Sequence, residues 1–256
     1  MPNMNAKLKN AVVEDVQALW SVDAERLILY ADIMGFKDRV STTDHEELKS
    51  QLLTFIGDFK RKIDPLLSGD YIRCVQFSDS IIIVANGVDS KMFNIITKAG
   101  ICLMHIAMRH SFPIKGVMAK GVFTYDETND LYFGQPLVDA YALHDELYYY
   151  GIVAHHSVEP LIKKYHYLRL PFSKSQIPLK KGKAAHYHLS WHMVKENLSI
   201  GSIAPLADKW LETIEEHVSG APRIYVDNTR ATFKEDKLIV TKKDAADNGD
   251  SPTSAI

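Results

Sequence analysis

The chain has 256 residues, 46% hydrophobic and 24% charged, a globular average that excludes a fibrous or wholly disordered protein and suffices for one sizeable core. A formal net charge of −2 leaves no basic footprint for a phosphate backbone, so long nucleic acids are not expected as ligands. Only Cys74 and Cys102 occur, both inside apolar stretches, and the N-terminus lacks an apolar signal core, which fits a reducing cytoplasm.

Residues 26 to 33, RLILYADI, read as a buried strand that turns sharply at Gly35 and carries Asp32 at its C-terminal end. From Asp44 to about Lys62, apolar residues recur at three and four spacings, predicting an amphipathic helix capped near Thr43 or Asp44 and closed by Pro65 and Gly69. YIRCVQF and IIIVAN flank Ser78-Asp79-Ser80, the pattern of a β-hairpin with Asp79 at its tip. A second long helix is predicted over 89 to 110. Its most apolar stretch, GICLMHIAM, contains His105 and stops at Arg109, short of the roughly 20 residues of a membrane span.

PIKGVMAKGVFTYD then reads as a strand in which Gly116 and Gly121 allow close backbone approach, with a hairpin to LYFG. After Gly134-Gln135-Pro136 come a helix in VDAYALHDELYY, a strand in GIVAHH, a short helix near 157 to 165, and a second β region ending near AAHYHL. Such an order predicts an α+β fold, ferredoxin-like at its centre, with a mixed sheet and helices mainly on one face. We divide the chain into an N-terminal segment (1–25), a catalytic-size domain (26–190), a C-terminal helical appendage (191–233) and a polar tail from Lys234 expected to be disordered.

Asp32 and Asp79 are 47 residues apart in sequence, but a strand end and a hairpin tip converge if their strands are neighbours. Paired carboxylates suit Mg²⁺ or Mn²⁺, which keep water and substrate phosphates among their ligands. Ile33-Met34-Gly35-Phe36 forms a tight turn whose backbone amides can point at phosphate oxygens.

These residues resemble the motifs of class III nucleotidyl cyclases. Ala31-Asp32-Ile33-Met34-Gly35-Phe36 is similar to the family's first-strand motif and Phe77-Ser78-Asp79-Ser80 to its hairpin; Lys115-Gly116-Val117 through Gly121 and Tyr132-Phe133-Gly134 follow in the family's order, over about residues 26 to 190. The resemblance implies that Asp32, the Ile33 carbonyl and Asp79 coordinate two Mn²⁺ or Mg²⁺ ions, and that Met34, Gly35 and Phe36 hold the nucleotide. The 3′-hydroxyl would attack the α-phosphorus in line and pyrophosphate would leave. It also implies a head-to-tail homodimer with sites at the interface.

The chain departs from the purine cyclases of that family at the residues that read the base. Val75 and Leu131 stand where those enzymes carry a lysine and an acid, so neither adenine nor guanine is favoured. Val138 and Ala142 replace the asparagine and arginine that hold ribose and transition-state charge. Lys181 resembles the family's phosphate-binding lysine, although a solvated lysine cluster is the other reading; Arg39, Arg73 and Lys120 are further cationic candidates or ordinary surface charges.

Intact aspartates with lost purine selectors resemble the bacterial pyrimidine cyclases of Pycsar antiphage systems, whose helical C-terminal Tyr-x-x-Asn-Thr pattern is echoed in Tyr225-Val226-Asp227-Asn228-Thr229. That implies UTP, or alternatively CTP, as substrate, a 3′,5′-cyclic monophosphate as product, activation by phage infection, and a separate effector protein that reads the messenger. A catalytically inactive homologue that binds a nucleotide or a partner is the competing class, favoured by the missing asparagine and arginine. A diguanylate cyclase is disfavoured because Phe-Ser-Asp-Ser is not its hairpin motif. The eleven histidines, including His155-His156 and the group His186, His188 and His192, lack a cysteine cluster, and no zinc is assigned.

Overall fold

RLILYADI has no polar alternation because the strand it forms, β1 (Asp23–Ile33), is covered on both faces at the centre of the sheet. The computed structural model describes residues 20–67, 70–194 and 203–249. β1 pairs antiparallel with β3 (Ser80–Ala85) on one side and β4 (Ile114–Asp126) on the other. The short hairpin predicted around Asp79 joins β2 (Ile72–Phe77) to β3, and a second joins β4 to β5 (Leu131–Gly134). β6 (Ile152–Ala154) lies parallel to β4, followed by β8 (Gly182–Leu189) and β7 (Phe172–Leu179). The sheet is therefore mixed and eight-stranded, in the order β2-β3-β1-β4-β6-β8-β7 with β5 on β4.

A short α1 (Phe36–Thr42) follows β1, and α2 (His45–Leu67) and α3 (Ser90–Arg109) cover one face of the sheet. Asp44 caps α2, its Oδ1 accepting from the amides of Glu46 (3.0 Å) and Glu47 (3.2 Å). Pro65 does not itself close α2; it sits in the last turn, where it removes one i to i−4 hydrogen bond, and the helix ends two residues later at Leu67. Gly69 lies outside the described residues. α4 (Gln135–Glu146) is the exception to the one-sided arrangement. It crosses the opposite face, where Ala140 joins Ile28 and Tyr30 of β1 and Val117 of β4. The even positions of β1 thus face α4 and the odd ones face α3, as strand alternation requires. α5 (Glu159–Lys164) links β6 to β7.

Gly116 is needed where β4 crosses β1, since a Cβ there would stand 2.8 Å from the Tyr30 carbonyl oxygen.

The C-terminal helices α6 (Ala204–Glu215) and α7 (Ala221–Gly249) pack on the body: Trp210, Leu211, Tyr225, Val226 and Phe233 belong to the same buried cluster as β1 and α3. The expected disordered tail begins in the middle of α7. There Asp236 is fully buried, its Oδ1 3.0 Å from Nε2 of His188 and its Oδ2 3.7 Å from Nε2 of His192. Residues 250–256 of that tail, and 1–19 of the N-terminal segment, lie outside the described residues, and β1 already starts within the latter at Asp23. No helix among the described residues is long and apolar enough to cross a membrane.

Candidate active site at the end of the central strand

Asp32 is the penultimate residue of β1. The register sets its Cα opposite Ser80 of β3 and Lys115 of β4, which puts three polar side chains in one row across the sheet on the α4 face. Asp79 reaches the same place from the β2–β3 turn. That turn has only two residues between the paired Phe77 and Ser80, with Ser78 in the left-handed region (φ 55°). The Asp79 carbonyl accepts from the Ile33 amide at 3.1 Å and so fastens the hairpin tip to the end of β1.

Electrostatics report the convergence of the two carboxylates. Burial, and then the negative charge of Asp79, push the Asp32 carboxyl up to about 6, against the opposing pull of the Ser80 hydroxyl and Lys115. Ser80 Oγ donates to Asp32 Oδ1 at 3.2 Å, and the Tyr30 hydroxyl lies 3.1 Å from Ser80 Oγ. Two crowded carboxylates with a nearby hydroxyl are a donor set that a hard divalent cation satisfies, because its charge relieves their repulsion. No third carboxylate or imidazole completes a cage among the described residues, leaving such an ion to take water or phosphate oxygens as well.

The turn after β1 is only partly a phosphate cradle. The Ile33 amide is bonded to Asp79, and the Met34 amide donates to the Pro113 carbonyl at 2.8 Å, so neither can meet a phosphate. Beyond them Gly35 adopts φ 73° and starts α1, whose first internal bond runs from Arg39 N to Gly35 O (3.1 Å). The amides before Arg39, including that of Phe36, have no partner within the helix. Met34 and Gly35 border a mainly apolar cleft of about 470 Å³, closed on other sides by Arg39, Tyr150, Ile214 and Tyr225.

Lys115, to which the sequence reading gave no role of its own, is the cation nearest this geometry. It is 5% exposed, and its Nζ donates to the Leu147 carbonyl at 3.4 Å. Burial and the Lys180 charge lower its pKa, while Asp145 and Asp32 hold it up. The signal in the sequence was a lysine inside an apolar strand, which must be buried with a purpose or paired.

The other cationic candidates are engaged elsewhere or stand apart. Arg73 pairs with Asp70 and lies 3.6 Å from Glu127, Lys120 pairs with Glu25, and Arg39 donates to the Ser111 carbonyl beneath the Phe112 ring. Lys181 is exposed in the β7–β8 turn, beside a Lys180 that pairs with Asp145 at 2.8 Å.

Val75 lies one strand step from the Asp32 row, opposite Ile82, which itself faces Tyr30. β2 and the β4–β5 hairpin, distant in sheet order, approach each other through the Arg73–Glu127 contact, and Val75 and Tyr132 pack on one cluster. Leu131 points the other way and is 48% exposed. Val138, Ala142 and Tyr141 form the outward face of α4, and Phe133 is exposed beside them in sequence.

No protein-family model matches the chain, and no curated protein matches it in sequence. Solved structures do share its fold. The monomeric guanylyl cyclase domain of a fusion protein from the aquatic fungus Blastocladiella emersonii superposes with a TM-score of 0.52 at 13% identity, over 66% of this chain and 98% of that one. The guanylate cyclase domain from Catenaria anguillulae, solved in complex with GTP, gives 0.50 at 14% identity over 66% and 98%. The fold is that of class III nucleotidyl cyclase catalytic domains.

Proposed function

We propose that the chain is a pyrimidine nucleotide cyclase that converts UTP to 3′,5′-cyclic UMP and pyrophosphate. The observation that carries this reading is the convergence of Asp32, Asp79 and Lys115 at the end of β1 in a cyclase fold. Asp32, Asp79 and the Ile33 carbonyl would hold two Mg²⁺ or Mn²⁺ ions. When bound, these supply Lewis acidity that eases loss of the 3′-hydroxyl proton and neutralises phosphate charge.

The chain's own groups account for the remainder. Ser80 orients the Asp32 carboxylate by its 3.2 Å hydrogen bond. Lys115, dry and next to Asp32 in register, offsets charge on the triphosphate as the 3′-oxygen bonds to the α-phosphorus and the bond to the β-phosphate oxygen breaks. The 3′ proton passes to solvent and the electron pair leaves with pyrophosphate.

Apolar Val75 and exposed Leu131 offer no charged group to a purine edge, which supports a pyrimidine; UTP rather than CTP follows only from the resemblance to the Pycsar cyclases. From the same resemblance come a cytoplasmic role in antiphage signalling and an effector that reads the product. A homodimer is supported by the apolar residues that α4 and β5 leave uncovered.

Purified protein incubated with each of the four ribonucleoside triphosphates and Mn²⁺, with products resolved by mass spectrometry, tests the reading. Cyclic UMP is expected, and Asp32→Ala and Asp79→Ala should each lower its formation by more than about 100-fold. No cyclic product from any triphosphate would favour the inactive homologue, whose support is the outward-facing Val138 and Ala142 where a charge-stabilising pair would stand. Cyclic CMP alone would move the assignment to CTP.

A further inference from the structure

We propose that α7 is a positioning element for Lys115, acting through Tyr225, Asn228 and Thr229 on the segment that joins α4 to β6. The inference rests on the reading of Lys115 as the phosphate cation and assigns a task to a C-terminal pattern that the fold alone leaves unexplained.

Residues 225, 228 and 229 are spaced to share one helix face. All three reach the same four-residue stretch of backbone. The Tyr225 hydroxyl donates to the Leu147 carbonyl at 3.3 Å, Asn228 Nδ2 donates to the Tyr148 carbonyl at 2.7 Å, and the Tyr150 amide donates to Thr229 Oγ1 at 2.9 Å. The Leu147 carbonyl is also the acceptor for Lys115 Nζ, at 3.4 Å. The lysine and the tyrosine therefore hold one oxygen between them.

Tyr225 touches Lys115 in a second way, with Nζ 5.7 Å from the centre of its ring. The ring is fixed in turn by Tyr148 (4.4 Å between centroids) and by Tyr150, stacked at 5.5 Å and 20°. A long, flexible lysine side chain buried beside a site needs both its acceptor and its apolar wall held still. Here α7 supplies the wall and clamps the peptide that bears the acceptor. Tyr225 also lines the cleft bordered by Met34 and Gly35, the turn that follows Asp32.

The test is a double-mutant cycle read by calorimetric binding of inorganic tripolyphosphate with Mg²⁺ to the full chain, a probe that requires no turnover. Lys115→Met should weaken binding about ten-fold, the size of one lost charge-assisted contact. Tyr225→Leu should weaken it several-fold, and the double variant should bind within about two-fold of Lys115→Met alone, because the tyrosine acts through the lysine. Tyr225→Phe removes only the hydroxyl and keeps the ring; it should fall between wild type and Tyr225→Leu and carries the same cycle if the leucine variant does not fold.

Multiplicative losses in the double variant would overturn the inference while leaving Lys115 as the phosphate cation. Wild-type affinity in Lys115→Met, or no binding by wild type, would overturn it together with that role. Absence of cyclic product alongside an intact binding cycle would instead reject the cyclase reading and leave the positioning role standing.

Discussion

His192 and Asp32 lie in very different settings, yet burial dominates the protonation of both. His192 is fully buried and stacks on Phe233 at 3.9 Å, and burial lowers its pKa from 6.5 to about 4. A histidine held neutral in the fold but free to protonate when unfolded favours unfolding in acid. Its penalty is absent above about pH 6.5, grows as the pH falls, and is complete below about pH 4, reaching about 3 kcal/mol. Urea-unfolding midpoints should therefore drop steadily between pH 7 and pH 5, and less steeply in His192→Gln. Equal slopes in the two proteins would show that this imidazole does not drive the loss. At the same scale, Asp32 and Asp79 were legible in the sequence because each sits at a local landmark, a strand end and a hairpin tip. Lys115 was not, because its meaning depends on β1 lying beside β4, a pairing no local pattern states.

Among the elements, α7 departs furthest from expectation. Beyond Lys234 the composition is polar and the one short apolar cluster, Leu238-Ile239-Val240, suggested little to bury. The helix inverts that reading. Leu238 is 62% exposed while Asp236 is fully buried, hydrogen-bonded through Oδ1 to His188 and 3.3 Å from Ser175 Oγ. A chain ending at Phe233 would take away the buried carboxylate that His188 and Ser175 share, at a cost on the order of 1–3 kcal/mol. Its thermal midpoint should fall by several degrees, read by circular dichroism. An unchanged midpoint would mean that the buried Asp236 contributes nothing to stability. β1, α3 and the two hairpins, by contrast, followed from periodicity because each buries an apolar face whose spacing matches its own geometry.

For the whole molecule, one chain leaves work undone. Phe133, Val138 and Tyr141 stay exposed at 55%, 61% and 60%, more apolar surface than an isolated α4 face has reason to present. In the proposed homodimer a second copy seated there would cover it. Val138→Glu should then convert a dimer into monomers in sedimentation experiments and lower cyclase activity about 100-fold or more. A dimer with full activity in that variant would place the interface elsewhere.

The sequence by itself determined the α+β class, the central buried strand, the carboxylate-bearing hairpin and the absence of charged groups at Val75 and Leu131, since each is written in residues near one another along the chain. Tertiary structure alone decided that Lys115 faces Asp32, that the Ile33 and Met34 amides are consumed by Asp79 and Pro113, and that α7 is part of the core and clamps Leu147 to Tyr150. These depend on pairings between segments tens of residues apart, where a polar side chain gains its partner only after the backbone has been brought to it.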